Sequence, residues 1–314
     1  MQRPFTIDLG QLRALRAVRE HGTVTAAAAA IHLTPSAVSQ QIAALSRAVG
    51  APLLARQGRR VRLTAQAGVL LEHGDRLHSQ LERARADLAA LADGSAGRVA
   101  VGAFASAISG LVAPALDQLR TTRPRLLVTV REMQAPQCFV DLDRGDLDVA
   151  VTVEWADGPH RDDPRYIRHH LLRDPLDMAL PAAHPLAART APLRLDDLAT
   201  EVWVAGQRGG PCVEVAIGAC ATAGFSPRIQ HVTEDWHAVL ALVRAGAGVA
   251  LVPRLGLPRH PDGIAVRSLG PQGPARHIFA ATRAGSEGSA LLAPVLAALA
   301  GAAAHEEQRE AASA

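Results

Sequence analysis

Lysine is missing from this chain: all 33 basic side chains among its 314 residues are arginine. Aromatic residues make up only 3%, with a single tyrosine, and there are three cysteines. Three cysteines cannot all pair within one chain, and Cys138, Cys212 and Cys220 lack the close spacing of a zinc site, so a disulfide scaffold and a structural zinc module are both excluded. No stretch approaches the ~18 strongly apolar residues of a membrane span. Met1-Gln2-Arg3-Pro4 leads straight into an amphipathic pattern, without the charged and apolar regions of a signal peptide, so the expected compartment is the cytoplasm. With 48% hydrophobic and 20% charged residues, the composition is that of a globular protein long enough for two or three domains, each with its own core.

The net charge of +3 hides a segregation. Residues 1–64 hold nine arginines against only Asp8 and Glu20, a balance of +7, which leaves 24 arginines and 28 acids, or −4, for residues 65–314. Biased composition accounts for the absence of lysine but not for this asymmetry. A compact basic module on a mildly acidic body suits the phosphate backbone of nucleic acid, where arginines displace condensed counterions.

The basic module reads as an all-α winged helix-turn-helix, three helices followed by a hairpin wing. Leu9, Leu12, Leu15 and Val18 recur at helical spacing, and Gly22 ends that helix where a residue of positive φ is wanted. A short helix capped by Thr23 or Thr25 runs through the alanines at 26–30, whose small side chains let another helix cross closely. Thr34-Pro35 starts a third helix with a capping hydroxyl and a proline at its first position. Val38, Ile42, Leu45 and Val49 form its inward stripe, while Ser36, Ser39, Gln40, Ala43 and Arg47 face outward. Small outward residues let a helix sit deep in the major groove, where Gln40 can contact adenine N6 and N7 and the serines reach base edges or phosphates. After Gly50, residues 53–63 read as a hairpin with Val61 and Leu63 inward and Arg56, Arg59 and Arg60 outward, a basic wing suited to phosphates or the minor groove. The expected DNA contacts are Thr34, Pro35, Ser36, Ser39, Gln40, Arg47, Arg56, Arg59 and Arg60.

Four runs occur in order: Gly22-Thr23-Val24-Thr25-Ala26-Ala27-Ala28, Thr34-Pro35-Ser36-Ala37-Val38-Ser39-Gln40-Gln41-Ile42, Pro52-Leu53-Leu54-Ala55-Arg56 and Arg59-Arg60-Val61-Arg62-Leu63-Thr64. Together they closely resemble the signature of LysR-type transcriptional regulators. Two positions depart from it: that family usually carries phenylalanine at Leu54 and an acidic residue at Ser46. Both concern packing or local pairing and leave DNA binding intact.

Beyond the wing, Leu70, Leu77, Leu81, Ala84, Leu88 and Leu91 fall into alternating spacings of four and three past residue 77, the mark of a heptad seam that wants a partner helix. As one helix, residues 65–92 would span ~42 Å. Pairing two copies would hold two groove-reading helices at the fixed separation that a two-half site demands. The resemblance implies the same, since these regulators dimerise through this helix and many assemble as tetramers.

Asp93-Gly94-Ser95-Ala96-Gly97 reads as a hinge at 93–97. Strand-like runs at 98–103, 126–132, 147–153, 176–181, 202–205, 228–233, 248–253, 264–269 and 276–282 then alternate with helix-like runs, the last over 289–300. This predicts an α/β body with parallel sheets covered on both faces. The resemblance implies a two-lobed, periplasmic-binding-protein-like effector domain over 98–304. Its first lobe takes 98–173 and 271–304, its second 174–270, and 305–314 is expected to be disordered. Gly145-Asp146-Leu147-Asp148, His184-Pro185-Leu186-Ala187, Ala223-Gly224-Phe225 and Ala245-Gly246-Ala247-Gly248-Val249-Ala250-Leu251-Val252-Pro253 are similar to that domain.

Helix N-termini after Phe104-Ala105-Ser106-Ala107 and after Gly206-Gln207-Arg208-Gly209-Gly210 are expected to face the cleft and to favour an anionic group. The candidate effector site comprises Phe104, Ser106, Ala107, Gln134, Gln207, Arg208, Gly209, Thr233 and Trp236, holding a carboxylate or amino acid. Ser106 can equally cap its helix, and Trp155 and Trp236 can fill cores. Cys212 and Cys220 lie ~12 Å apart along a helix, too far for a disulfide. Scattered histidines come without a metal motif, and no nucleophile elbow, phosphate loop or dinucleotide fingerprint is present. The expectation is a cytoplasmic, non-enzymatic regulator without cofactor, partnered by double-stranded DNA, a small effector and further copies of itself. The alternative is an α/β enzyme or solute-binding protein carrying a basic appendage.

Overall fold

Local capping chemistry sets out the first helices. In the computed structural model, the Asp8 carboxylate accepts the Gly10 amide at 2.7 Å and opens α1 (Leu9–His21), which Gly22 ends at φ 71°. The Thr23 hydroxyl, not that of Thr25, caps α2 (Val24–Ala30) by accepting the Ala26 amide at 3.1 Å. Thr34 does the same for Ala37 at the start of α3 (Pro35–Val49), and Gly50 closes that helix at φ 75°. Both glycines sit in the left-handed region, where any side chain would be strained.

The structure describes residues 7–57, 60–91, 97–155, 158–189, 191, 193–206, 209–258 and 261–313, and the chain divides into two units, Met1–Ala84 and Arg85–Ala314. In the first, Leu12, Leu15, Val18, Ala27, Ala28, Val38, Ile42, Leu45 and Leu53 form the core. Ala27 and Ala28 are fully buried, so the three helices approach one another at the cost of only a methyl group each. Leu9 departs from the expected inward stripe: it is half exposed, because its place in the first turn carries it past the end of the core. Strands β1 (Leu54–Gln57) and β2 (Arg60–Leu63) pair antiparallel from Leu54↔Leu63 to Gln57↔Arg60, with Val61 and Leu63 leaning on the core and Arg62 exposed.

Helix α4 (Ala65–Leu91) starts under the Thr64 hydroxyl, which accepts the Ala67 amide at 3.2 Å. Ala67 and Leu71 join the first core, Leu70 packs partly against it, and an Arg16–Asp75 ion pair ties α4 to α1. Further along, Val69, Leu77 and Leu81 are exposed leucine-sized apolar groups, and Ala84 is exposed as well. The Leu88 and Leu91 side chains and most of the expected hinge lie outside the described residues; Gly97 opens the next strand.

The second unit carries β3 (Gly97–Ala103), α5 (Ala105–Ala107), a π-helical turn (Ile108–Val112), α6 (Ala113–Thr122), β4 (Leu126–Glu132), α7 (Gln137–Arg144) and β5 (Val149–Val153). A long β6 (Tyr166–Pro181) leads to β7 (Val202–Ala205), α8 (Pro211–Thr222), β8 (Arg228–Val232), α9 (Trp236–Arg244), β9 (Ala250–Pro253) and β10 (Ile264–Arg267). The chain then closes with β11 (Ala275–Arg283) and α10 (Leu292–Ser313). Strand order is β10-β6-β11-β5-β3-β4, with β9 also on β6 and a separate β7-β8 pair. Residues 166–175 of β6 pair with β11, whereas from Leu176 onward β6 pairs with β9 and β10. A single strand thus passes from one lobe into the other.

Two expectations about this body are corrected. The sheets are mixed rather than parallel: β3–β4, β3–β5 and β7–β8 are parallel, but β11 runs antiparallel to β5 and β6, and β6 runs antiparallel to β9 and β10. The physical reason is the return path, since β6 leaves the first lobe and β11 re-enters beside it in the opposite direction. The segment from 305, expected to be disordered, continues α10 to Ser313. Its Ala, Glu, Gln and Arg residues are strong helix formers, and they extend a helix already anchored by buried Val295, Leu299 and Ala303.

The lobes meet where Gly110, in the π-helical turn, receives Leu255 from the turn after β9. A Cβ on Gly110 would lie 2.6 Å from Leu255 Cδ2, so any side chain there would push the Leu255 side chain aside. Among the described residues no helix is long and apolar enough to cross a membrane.

Candidate nucleic-acid interface and effector site

On α3 the buried face is Val38, Ile42 and Leu45, which points Thr34, Pro35, Ser36, Ser39, Gln40, Ala43 and Arg47 into solvent. Seven exposed positions on one side of a helix carry one cation and several short hydrogen-bonding groups. That surface can approach a groove closely, because no long side chain except Arg47 stands in front of the backbone. Arg56 and Arg60 lie on the two strands of the hairpin, but their side chains, and Arg59 altogether, fall outside the described residues.

In the second unit, the expected effector residues separate into two groups. Phe104, Ser106 and Ala107 are buried. Phe104 is the N-cap of α5 without any side-chain capping bond, so Ser106 is not a helix cap. Its hydroxyl instead accepts a hydrogen bond at 2.7 Å from Nη2 of Arg276. By contrast, Gln134 and Gly209 are exposed, and Thr233 and Trp236 are partly buried. The Gly209 amide is taken by Glu214 Oε1 at 2.9 Å, and Trp236 packs beside Gly256 and the Val239–Leu240–Val243 core. Neither Gln134 nor Thr233 hydrogen-bonds to Arg276 or its partners. Gln207 and Arg208 lie outside the described residues.

The reading of the sequence missed the group that organises this region. Arg276, 3% exposed on β11, donates through Nε to Asp174 Oδ2 at 2.8 Å, through Nη1 to Cys212 Sγ at 3.3 Å and through Nη2 to Ser106, while its guanidinium lies 4.7 Å from the Phe104 ring centroid. Asp174 sits on β6 where the strand changes lobes, and its other oxygen accepts the Leu255 amide at 3.2 Å. Burial pushes the Asp174 carboxyl up from its ordinary range, against the pull of the Arg276 guanidinium beside it. Next along β6, Asp177 binds Arg254 at 2.6 Å. The only signal in the sequence was a charged residue within a strand-like run, Asp177 in 176–181 and Arg276 in 276–282; Asp174 fell outside both. Cys138 and Cys220 are buried, and burial pushes both thiols up to about 11.

Comparison with known proteins agrees at both ends of the chain. The family described as "Bacterial regulatory helix-turn-helix protein, lysR family" matches residues 9–68, and "LysR substrate binding domain" matches residues 92–304. Among curated relatives, the HTH-type transcriptional regulator AlsR of Bacillus subtilis (strain 168) is 28% identical over 79% of this chain and 80% of its own. The uncharacterised HTH-type transcriptional regulator YnfL of Escherichia coli (strain K12) is 30% identical over 79% and 83%. Full-length CbnR, solved in complex with its target DNA, is 26% identical, with a TM-score of 0.55 over 95% of this chain and 100% of that one.

Proposed function

This chain belongs to the LysR family of DNA-binding transcription regulators with an effector-binding domain, and from that premise we propose how its residues divide the work. Helix α3 enters the major groove, where Gln40, Ser36 and Ser39 meet base edges. Thr34, Pro35 and Arg47 fix its approach, and Arg56, Arg59 and Arg60 of the wing hold phosphates. Two copies pair along α4 through Leu77, Leu81, Ala84, Leu88 and Leu91, and pairs of pairs form a tetramer. Leu70 plays a smaller part, being already committed to its own unit. The division into a groove-reading module to residue 64, a pairing helix over 65–92 and an effector body from 98 follows from these roles. Regulation proceeds by binding, without catalysis, in the cytoplasm.

The effector is a small anion, a carboxylate or an amino acid, held between the lobes near Ser106. It needs no chemistry of its own: a ligand that binds one arrangement better than another shifts the balance by that difference and no more. The observation that carries the DNA reading is the exposed face of α3, polar, short and backed by a fully buried stripe. A mobility shift with DNA from beside the protein's own gene tests it. Binding is expected to fall steeply with salt and to be competed better by that site than by random duplex.

A further inference from the structure

Among the described residues of the second unit two arginines, Arg276 and Arg283, are almost fully buried, and their partners differ. Arg283, 3% exposed, gives its terminal nitrogens to the Leu142 and Leu147 carbonyls and to Asp148, all strong acceptors. Arg276 meets its one anion, Asp174, through Nε. Its terminal nitrogens face only a thiol and a hydroxyl, Cys212 and Ser106, both neutral and the first a weak acceptor. Among the described residues, one N–H on each terminal nitrogen has no acceptor. Phe104 covers one face of the guanidinium, and the edge that carries both terminal nitrogens is where hydrogen bonds to a newcomer can form. That edge presents two parallel N–H bonds at the spacing of a carboxylate.

The three partners come from distant parts of the chain. Ser106 stands at the start of the α5–α6 helical run in the first lobe, Cys212 in the first turn of α8 in the second, and Asp174 where β6 crosses. We propose that Arg276 is the anion-binding residue of the effector site: a carboxylate docks on its terminal nitrogens, between Ser106 and Cys212, and replaces the thiol as acceptor. The bound anion thereby touches both lobes through one rigid group. This rests on the reading of the effector as an anion, and adds to it the residue that holds the charge and the position of that charge.

Cys212 supplies the reporter. It is partly exposed, while Cys138 and Cys220 are buried and serve as internal controls. The full-length protein is treated with iodoacetamide, and carbamidomethylation of each cysteine is followed by mass spectrometry. This is repeated with benzoate, succinate, pyruvate and L-glutamate, and with benzamide and succinamide as uncharged counterparts, while calorimetry records which of them bind. A carboxylate that binds is expected to slow modification of Cys212 about tenfold at saturation, and its affinity is expected to fall about tenfold in Arg276→Lys, which keeps the charge but loses the fork. Should Arg276→Lys not fold, Ser106→Ala, which leaves the Arg276–Asp174 pair intact, is expected to weaken the same carboxylate about fivefold. A carboxylate that binds yet leaves the Cys212 rate unchanged overturns this assignment alone, with the anionic effector standing. Binding of the amides but of no carboxylate overturns the anionic effector, and this assignment falls with it.

Discussion

Replacing Arg276 with methionine removes the cation of a pair in which Asp174 is fully buried and Arg276 is 3% exposed, and leaves the carboxylate with only the Leu255 and Arg254 backbone amides beside it. Breaking a buried pair from one side costs about 3–5 kcal/mol, because the surviving charge keeps its desolvation penalty and loses its compensation. For a unit the size of Arg85–Ala314, each kcal/mol lowers the melting temperature by about 2–4 °C, so Arg276→Met should drop it by roughly 6–20 °C. The double variant Asp174→Asn/Arg276→Met leaves no charge and retains an oxygen for the Leu255 amide, so it should recover more than half of the loss. Differential scanning calorimetry of the full chain reads both, with the transition of the first unit as internal reference. A drop under about 3 °C for the single variant, or a double variant no better than the single, would show that the pair does not balance a buried charge.

Three other outcomes follow from particular contacts. Leu77→Glu together with Leu81→Glu puts two charges on the exposed seam of α4 without touching a core, and sedimentation should then show a smaller assembly than the wild type while the melting temperature of the first unit holds. Gly110→Val places a Cβ 2.6 Å from Leu255 Cδ2; overpacking of this kind costs about 1–3 kcal/mol, and Leu255→Ala in the same chain should relieve part of it in thermal unfolding. Burial would raise the Asp163 carboxyl, but the Arg165 side chain and amide outweigh it and hold the group below its ordinary value. A depressed acid stabilises the fold above about pH 4, its unfolded value, and loses that contribution as pH falls through the native value. Asp163→Asn should therefore melt below the wild type at pH 7, and the gap should narrow as pH falls below about 4.

Much of the first unit was legible because local chemistry and periodicity agree there. Thr34-Pro35 and Gly50 mark both ends of α3, and the stripe Val38, Ile42, Leu45 has one period and one meaning. The strands at 126–132 and 202–205 were equally clear, being short apolar runs between breakers. The first ten residues of β6 were not, since Arg168, His169, His170, Arg173 and Asp174 obscure any alternation. The Arg276 cluster was hidden for a different reason: its hydrogen bonds join residues 64, 102 and 170 positions apart, and no local pattern records which distant charge will neutralise a buried one. The length of α10 was misjudged by weighing polarity over helix propensity at its end.

The central claim, that the outward face of α3 reads sequence while arginines supply affinity, is tested most directly by fluorescence anisotropy. Wild type and Gln40→Ala are titrated against a duplex from beside the protein's own gene and a scrambled duplex of equal length, each across a range of salt. The account predicts that the wild type prefers its own site by on the order of 10³ or more, and that Gln40→Ala loses about tenfold or more of that preference while the slope of affinity against salt stays unchanged. A variant that keeps the full preference, or a wild type that binds both duplexes equally at every salt concentration, would contradict it.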